Sequence, residues 1–460
     1  MADPVKVDYG FRRRLAEVID GNRISNCYQC GACVGDCPAA RYDPEFNPRR
    51  IMLKALYGLA EEIIGPDSEI WNCTNCCTCV DRCPQEVKPV EVIIALKNLM
   101  EKEGCAPQGA SAVAASIRET GRSTIVTSAT TRMRESFGLP PLNDPPREEI
   151  AAILEGRSLE RAPDPEPDVR PGTRSYAFFP GCLIPVKYPQ MEAAIRLTLP
   201  RLDLASHDLP GFSCCPDPIY FKASEKFTWL TLAARNLAVA EEAGLDIFTV
   251  CSGCTATLCE AVHHLRGDEG LRRRVNERLA LVGREYKGEA SARHLVTILR
   301  DEVGYEAVAA SVERPLKGLT AAVHYGCHLL KPKEIMQVDE PDEPVIMDRL
   351  LEAIGVKPVR HRERLLCCGK ACQGSEIPGD MMSDVLDSAL ETGADCLGMI
   401  CPTCFDQFDT GQLLLARKRK REKKLPPVYY FQLLALAQGF SVEQVGLHRH
   451  KIKLEVPIPD

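Results

Sequence analysis

Cysteine is the residue type in this chain that points most directly to chemistry. There are 23 cysteines among 460 residues, an odd number that cannot be fully paired in disulfides. Two groups of four follow the run C-x2-C-x2-C-x3-C-P: Cys27, Cys30, Cys33 and Cys37 with Pro38, and Cys73, Cys76, Cys79 and Cys83 with Pro84. Thiolates at this spacing are typical ligands of [4Fe-4S] cubane clusters. The chain is therefore predicted to be a cysteine-ligated metalloprotein.

The two runs are expected to share their ligands. Three thiolates on a turning loop hold three corners of one cube, and the fourth reaches the other cube. This predicts one cluster on Cys27, Cys30, Cys33 and Cys83, and another on Cys73, Cys76, Cys79 and Cys37. Structural zinc is the alternative, but tetrahedral zinc normally uses two separated CxxC knuckles. Such clusters pass single electrons, so the N-terminal region is predicted to transfer electrons.

The remaining chemistry-bearing cysteines occur as two sets of five. They are Cys182, Cys214, Cys215, Cys251 and Cys254, and Cys327, Cys367, Cys368, Cys401 and Cys404. One cubane needs four thiolates, and adjacent cysteines cannot easily cap separate corners of one cube without strain. A non-cubane cluster with a bridging thiolate would use five, although composition alone does not establish one.

Hydrophobic patterning predicts the elements that position these cysteines. Residues 1–104 are predicted to form a mostly helical domain, with a helix between 47 and 65 separating the two runs. The proline-rich stretch 105–174 is predicted to be a semi-rigid linker, with the domain boundary near 161–172. An apolar run ending in Gly-Cys, a Cys-Cys pair and a run ending in CxxC then occur twice. This internal repeat predicts two α/β units with parallel sheets, at 175–318 and 319–460, with cysteines where strands end.

Charge and hydropathy exclude several classes of protein. The 57 Lys and Arg residues against 64 Asp and Glu residues give a net charge of −7, which does not indicate nucleic-acid binding. No apolar run is long enough to span a membrane and no signal core is present, so a cytoplasmic location is expected. No strand is followed by G-x-G-x-x-G, so electrons are expected from a partner. The basic run from Arg417 to Lys424 is interpreted as a solvated helix face, with docking to an acidic partner or membrane as the alternative.

Several stretches resemble the C and B subunits of heterodisulfide reductase, fused in the order C then B. The stretches SNCYQCGACVGDCP, RRIMLKALYGL and IWNCTNCCTCVDRCPQEVKPVEVIIALKNL resemble the C subunit. The stretches YAFFPGCLIPVKYP, WLTLAARNLAVAEEAGLDIFTVCSGC, VHYGCHLLKP and CPTCFDQFD resemble the B subunit and its two cysteine-rich (CCG) units. The resemblance covers nearly the whole chain outside the linker and the extreme C-terminus.

The resemblance implies a disulfide reductase with four clusters. Two cubane [4Fe-4S] clusters would feed two non-cubane [4Fe-4S] clusters on the ten cysteines of the five-cysteine sets, with the disulfide between them. In the family this disulfide joins coenzyme M to coenzyme B and is split into two thiols during methanogenesis. The implied partner is a flavin- and iron-sulfur-containing A-type subunit, with hydrogenase or formate dehydrogenase. A membrane cytochrome b is the less favoured partner.

Several side chains beside the cysteines are further candidates. His324 and His328 flank Cys327, and either could protonate a leaving thiolate or simply be hydrogen-bonded beside the cluster. Lys187 and Lys331 follow Cys182 and Cys327 at matching places. They could meet an anionic substrate group, but solvated surface lysines are the favoured interpretation.

The loop CCGKACQG departs from the family, because Lys370 and Cys372 stand where small residues are usual. Cys372 is interpreted as space-filling, with ligand and reactive-thiol roles left open. Four more cysteines match no ligand spacing and are interpreted as packing residues: Cys77, Cys105, Cys259 and Cys396.

Two other functions compete with a reductase. One is a non-catalytic electron carrier, like the iron-sulfur subunits of glycerol-3-phosphate or lactate oxidising complexes. The other is a zinc-bearing structural or sulfur-carrier subunit. Because both five-cysteine sets are complete, whereas several electron-transfer relatives retain only one, the reductase is the favoured prediction.

Overall fold

The N-terminal region is an assembly of short helices. The computed structural model of the protein describes residues 6–18, 21–161, 164, 174–374, 376–419 and 424–455. The first helices are α1 (Phe11–Glu17), α2 (Ala32–Gly35), α3 (Pro38–Tyr42), α4 (Pro48–Tyr57), α5 (Thr78–Asp81) and α6 (Pro89–Lys102). Helices α3, α4 and α6 begin at a proline, which suits a first helical position because its missing N–H is not needed there. The predicted helix between the two cysteine runs is confirmed as α4.

The predicted linker is wrong over most of its described length. Residues 105–161 contain three helices, α7 (Gln108–Thr120), α8 (Ser128–Ser136) and α9 (Arg147–Glu155). Ala114, Ile117 and Ile150 are buried in the apolar core of the first repeat. The proline-rich run 138–146 is irregular, as predicted, but it is short and lies between two packed helices. The second proline-rich run, with the predicted boundary, lies outside the described residues except for Arg161 and Asp164.

The first repeat is a four-stranded parallel sheet covered by helices. Its elements are β1 (Arg174–Phe179), α10 (Leu183–Lys187), α11 (Pro189–Thr198), β2 (Leu204–His207), α12 (Tyr220–Ser224), α13 (Lys226–Glu242), β3 (Ile247–Thr249), α14 (Ser252–Gly267), α15 (Glu269–Leu279), β4 (Ala292–His294), α16 (Leu295–Ile298) and α17 (Tyr305–Ala310). The strand order is β2-β1-β3-β4, with Ala177 opposite Ile247 in the central pair. Phe178 and Phe179 on β1 alternate between the two faces of the sheet, as a strand buried on both faces requires.

The second repeat has the same topology. Its elements are β5 (Thr320–Val323), α18 (Lys333–Met336), α19 (Ile346–Ala353), β6 (Lys357–Val359), α20 (Ile377–Leu390), β7 (Cys396–Met399), α21 (Pro402–Asp406), α22 (Gln412–Arg419), β8 (Pro427–Tyr429) and α23 (Tyr430–Ala437). The order β6-β5-β7-β8 matches the first sheet strand for strand, and all pairs are parallel. The predicted duplication of a parallel α/β unit is therefore confirmed.

The three parts pack against one another through buried surfaces. One apolar core is common to both repeats and includes Met191 of α11 and Leu434 of α23. A second core joins the N-terminal helices to Cys367 and Met381 of the second repeat. Between residues 6 and 455, leaving aside the undescribed positions, no helix combines the length and hydropathy needed to cross a membrane.

Candidate functional site

A single cavity contains the side chains of all ten cysteines from the two five-cysteine sets. Its volume is about 130 Å³, and it lies where the two repeats face each other. The cysteines that line it are Cys182, Cys214, Cys215, Cys251, Cys254, Cys327, Cys367, Cys368, Cys401 and Cys404. The duplicated sequence therefore builds one site and not two separate ones.

The parallel sheets explain why these cysteines converge. Cys182 and Cys251 follow the carboxyl ends of β1 and β3, and Cys327 and Cys401 follow the matching strands β5 and β7. The carboxyl ends of parallel strands share one edge of a sheet, and ligand sites in open α/β sheets form there. The location predicted from the sequence is confirmed.

A glycine precedes the first cysteine of each set because the chain turns sharply there. Gly181 and Gly326 have φ angles of +75° and +73°, which favour glycine. A methyl group at Gly181 would lie 2.9 Å from the Sγ of Cys254, and one at Gly326 would lie 3.5 Å from the Sγ of Cys404. The absence of a side chain at these two positions leaves room for sulfur on the cavity wall.

The ten thiols form one continuous row. In order along the row, neighbouring thiols are Cys182, Cys214, Cys215, Cys254, Cys251, Cys401, Cys404, Cys368, Cys367 and Cys327. The contact between Cys251 and Cys401 joins the set of the first repeat to that of the second. Each set is thus within direct reach of the other.

Hydrogen bonds within the row favour the thiolate form at three positions. Cys215, Cys367 and Cys401 each accept hydrogen bonds from two neighbouring thiols, and this lowers the pKa of each below the ordinary value for cysteine. Burial opposes the shift, because a charged group loses solvation in the interior. At the other seven thiols of the row, hydrogen bonds with neighbouring thiols and burial together raise the pKa.

The N-terminal thiols form two groups in space, and each group combines three cysteines of one sequence run with one cysteine of the other run. Cys33 lies within electrostatic range of Cys27, Cys30 and Cys83. Cys37, from the first run, lies near Cys73 and Cys76 of the second, and Cys79 lies near the same pair. Burial is the main cause that raises the pKa of Cys33 to about 11. Cys30 is exposed whereas Cys76 is buried, so the first group is nearer the surface.

The second N-terminal run is in contact with the cavity. Thr74 lines the cavity and hydrogen-bonds the thiol of Cys367. The backbone oxygen of Asn75 lies 2.9 Å from Nε2 of His328, which also lines the cavity. The structure thus places the N-terminal cysteine loop directly beside the set of the second repeat.

The two candidate histidines have different surroundings. His328 faces the cavity, whereas His324 is buried against Phe408 and is not part of the cavity wall. Burial, with His361 nearby, lowers the pKa of His324 to about 4. Neither ring nitrogen of His324 has a hydrogen-bond partner among the described residues. His324 is therefore neutral near pH 7, and His328 is the better placed of the two.

The lysine interpretations need correction in part. Lys331 is buried, not solvated, and donates to the Thr78 hydroxyl at 3.0 Å. Lys187 is 44% exposed but forms an ion pair with the buried Asp406. Asp406 also forms an ion pair with Lys370, whose Nζ lies 2.9 Å from Oδ2 of Asp406. Lys370 is on the cavity wall.

The ion pairs of Asp406 with Lys187 and Lys370 lie beside the cavity, and the pair with Lys187 joins the two repeats. Tyr188 donates a third hydrogen bond to Asp406, at 2.5 Å. Burial favours the neutral form of Asp406, but the bonds from Lys187, Tyr188 and Lys370 outweigh it and lower the pKa to about 2. The rim therefore carries two cations and one carboxylate.

The cysteines outside the ligand patterns are not among the residues of the cavity wall. Cys372 is buried in the core shared with the N-terminal helices. Cys396 is buried within β7, and Cys259 donates to the backbone oxygen of Ala292 at 3.1 Å. Cys77 and Cys105 are partly buried. The packing interpretation of these residues stays a prediction.

In the basic run, residues 420–423 lie outside the described residues, while Lys418 and Arg419 pair with Glu376.

Ser123, Asp217 and Thr74 are among the cavity residues that were not predicted. The hydroxyl of Ser123, from the supposed linker, lies 2.8 Å from the Sγ of Cys182. Asp217 is on the wall and binds two successive backbone N–H groups, those of Ile219 and Tyr220. Burial raises its pKa. The position of Asp217, two residues after Cys215, could have indicated from the sequence that Asp217 lies at the cavity. Ser123 and Thr74 reach the cavity only through tertiary packing, so the sequence carries no signal for them.

The donor set suits iron-sulfur clusters. In the described ranges, no three Cys, His, Asp or Glu side chains converge on a point that one metal ion would occupy. The donors of the cavity row and of both N-terminal groups are thiols, the ligand type that iron-sulfur clusters use.

Comparison with known proteins identifies both parts of the chain. The family model for a 4Fe-4S dicluster domain matches residues 23–87, and the CCG (cysteine-rich domain) model matches 176–259 and 321–409. The B subunit of the ferredoxin/F420H2-dependent CoB-CoM heterodisulfide reductase of Methanosarcina acetivorans is 39% identical over 283 residues, 60% of this chain and 93% of that protein.

The chain belongs to the heterodisulfide reductase family. The C subunit of the H2:CoB-CoM heterodisulfide,ferredoxin reductase of Methanothermobacter thermautotrophicus is 36% identical over 133 residues, 29% of this chain and 70% of that protein. The likeness to the C subunit falls on the N-terminal region and the likeness to the B subunit on the C-terminal region, which confirms the fused order. Both of these relatives are named as subunits of heterodisulfide reductases, which are oxidoreductases that act on a disulfide.

A solved structure has the same overall arrangement. It is the crystal structure of a hypothetical protein from Helicobacter pylori, which is 15% identical with a TM-score of 0.60. The match covers 97% of this chain and 76% of that one. It supports the overall fold of the chain.

Proposed function

We propose that this chain is the disulfide-cleaving subunit of a heterodisulfide reductase complex. The observation that carries the proposal is the one cavity lined by all ten cysteines of the two five-cysteine sets. The reaction is R–S–S–R′ + 2 e⁻ + 2 H⁺ → R–SH + R′–SH, in which the S–S bond breaks and each sulfur gains one electron and one proton. Because the relatives are named for the CoB-CoM heterodisulfide, we propose that disulfide or an analogue as the substrate.

The thiols are proposed to hold four clusters. Two cubane [4Fe-4S] clusters would use Cys27, Cys30, Cys33 and Cys83, and Cys37, Cys73, Cys76 and Cys79. Two non-cubane [4Fe-4S] clusters would use the ten cavity cysteines, five from each repeat. When bound, the clusters would supply electrons one at a time and iron sites with affinity for sulfur.

Electrons are proposed to enter the cavity at the second repeat. Cys327 lies within electrostatic range of Cys76, and Cys73 within range of Cys367, so the N-terminal loop adjoins this set. The set of the first repeat adjoins the second set through Cys251 and Cys401.

Protons and substrate orientation are proposed to depend on the cavity wall. His328 is the group we assign to proton delivery, because it faces the cavity and is held by the backbone oxygen of Asn75. Lys370 lies on the wall with its side chain 43% exposed, and we assign it to an anionic part of the substrate. His324 receives no proton-transfer role.

The chain is proposed to receive its electrons from a partner subunit. We propose a flavin- and iron-sulfur-containing A-type subunit, with hydrogenase or formate dehydrogenase as its own electron source. A membrane cytochrome b is the less favoured partner. The alternative function, a non-catalytic carrier for a dehydrogenase, has no need for two complete five-cysteine sets that meet in one cavity.

Cluster content and two substitutions test the proposal. The anaerobically purified chain should contain roughly sixteen iron and sixteen acid-labile sulfide atoms. Cys215→Ala and Cys368→Ala should each abolish disulfide turnover with a reduced dye, while the N-terminal clusters are still reduced at the wild-type rate. Cys396→Ala is the matched control, because Cys396 is buried in β7 away from the cavity, and it should retain turnover. An iron content of about half that value, with only cubane signals, would leave the carrier function.

A further inference from the structure

A buried lysine lies beside the second N-terminal cysteine group. Lys97 of α6 is 1% exposed. Its Nζ donates to the backbone oxygen of Cys73 and to Oδ1 of Asn75, both at 3.1 Å. The same ammonium lies 5.1 Å from the centre of the Trp71 ring. Lys97 is therefore fixed in one position, against the loop that carries the cysteines.

The charge of Lys97 has an unusual set of neighbours. Several other buried cations among the described residues are paired with carboxylates, such as Lys222 with Glu260 at 2.5 Å and Arg235 with Glu149 at 2.8 Å. The ionisable groups that act on Lys97 are instead two thiols, those of Cys73 and Cys372.

A buried ammonium without a nearby anion is costly, so its counter-charge must come from close by. The cysteine loop supplies that charge when its thiols are thiolates bound to iron. Cys73 belongs to the proposed cubane site, and Cys372 to the loop that follows Cys367 and Cys368. Lys97 thus lies beside both the inner cubane site and the loop that follows the Cys-Cys pair of the second repeat.

We propose that the positive charge of Lys97 raises the reduction potential of the inner cluster, the one on Cys37, Cys73, Cys76 and Cys79. This rests on the proposed function only in requiring a cluster at these cysteines. Adding one electron to the cluster makes it more negative and breaks no bond. A fixed positive charge in a poorly solvated environment stabilises that reduced state. Electrons would then run downhill from the exposed outer site to the inner site beside the cavity.

The first part of the test is a reductive titration of the full-length chain followed by electron paramagnetic resonance. In Lys97→Met the ratio of reduced to oxidised inner cluster should fall at least tenfold at a given potential, about 59 mV for a one-electron couple. The outer cluster, on Cys27, Cys30, Cys33 and Cys83, should keep its midpoint. Its signal can be assigned with a Cys30→Ala variant.

Three further variants complete the test. Lys97→Gln should shift the inner midpoint in the same direction as Lys97→Met, and Lys97→Arg should restore most of it. Lys102→Met is the matched control, since Lys102 is exposed on the same helix, and it should change neither midpoint.

An unchanged inner midpoint in Lys97→Met and Lys97→Gln overturns the proposal. Loss of the inner cluster from both neutral variants overturns it as well, because Lys97 would then be needed only to build the site. Failure of the proposed function is distinguishable, since the wild-type chain would lack the cubane signals or the disulfide turnover.

Discussion

The glycines that precede Cys182 and Cys327 are the smallest features on which the cavity depends. Both have positive φ angles, and the one at 181 also makes the closer approach to a cysteine of its own set. Replacing a glycine can strain the backbone, and it can also fill space that a neighbouring side chain needs. A glycine elsewhere in the chain distinguishes these two effects. Gly283 has a φ of +66°, but a methyl group there would have no neighbouring atom within 4 Å.

Gly181→Ala is expected to remove the cluster that we propose for the first repeat. The new methyl group would lie 2.9 Å from the Sγ of Cys254 and would displace a proposed ligand. Gly283→Ala should cost about 1–2 kcal/mol of stability from its left-handed backbone but should leave the iron content unchanged. Iron and sulfide analysis of both purified variants checks this, with a loss of about four iron atoms expected only for Gly181→Ala. Equal iron in the two variants would contradict the packing argument.

At the scale of elements, helix α9 is held to the first repeat by a buried ionic network. Glu149 of α9 accepts hydrogen bonds from Arg235 of α13, at 2.8 and 3.1 Å, and from Arg284. All three side chains are buried. Removing one partner of such a network leaves charge in the interior without compensation, which typically costs about 3–5 kcal/mol.

Glu149→Gln is therefore expected to destabilise α9 and the helices beneath it by about 3 kcal/mol. Burial alone would raise the pKa of Glu149, but the charge and hydrogen bonds of Arg235, with those of Arg284, outweigh it and lower the pKa. The stabilisation is thus complete above the ordinary value of 4.5 and is lost as the pH falls through the lowered pKa.

Amide hydrogen exchange over 147–155 is the measurement, because it reports local opening. Exchange should be faster in Glu149→Gln than in the wild type, by the same factor from about pH 6 to pH 8 once corrected for intrinsic rates. Glu148→Gln, on the exposed face of the same turn, is the control and should match the wild type. A difference that grows or shrinks across this range would show that another group is responsible.

The sequence predicted those elements whose signals are local. The two cysteine runs, helix α4 and the repeated order of strands follow from spacing and hydrophobic patterning, and the structure has them where they were expected. Ligand sites at strand ends are a general property of parallel sheets, so the positions of Cys182 and Cys401 could be inferred without coordinates.

Helices α7 to α9 could not be recognised in the same way. The prolines around residues 138–146 dominated the interpretation, although they occupy only the connection between α8 and α9. Burial of Ile117 and Ile150 against the first repeat stabilises these helices, and that is tertiary information. The same holds for the contact between Cys251 and Cys401, which arises from the packing of one repeat on the other.

At the scale of the whole molecule, the N-terminal region is docked on both repeats. Its second cysteine loop adjoins the second repeat, while α6 packs on α12 and α13 of the first. Asn98 of α6 is buried at that contact: its Nδ2 donates to the backbone oxygens of Lys222 and Ala223, and its Oδ1 accepts from the N–H of Lys226. The ion pair of Arg82 with Asp342, which also joins the N-terminal region to the second repeat, is half exposed and is worth little, about 0–1 kcal/mol.

Asn98→Ala is expected to loosen this docking by about 2 kcal/mol, because it leaves buried backbone groups of α12 and α13 without partners. Turnover of the disulfide should then fall, since it requires the inner cysteine loop to stay beside Cys367. Reduction of the N-terminal clusters by dye should be unaffected. Asn47→Ala is the matched control, because Asn47 caps α4 inside the same region, where its Oδ1 accepts from the N–H of Arg50.

Stopped-flow reduction and hydrogen exchange at residues 220–226, measured on the same preparations, separate the two steps. Faster exchange together with full turnover in Asn98→Ala would show that electrons reach the cavity by a route that does not depend on this contact. Slower turnover in Asn47→Ala of the same size would assign the effect to the stability of the N-terminal region itself. The expected pattern, a loss confined to Asn98→Ala and to the disulfide step, follows if one rigid arrangement of three parts carries electrons from the surface cysteines to the shared cavity.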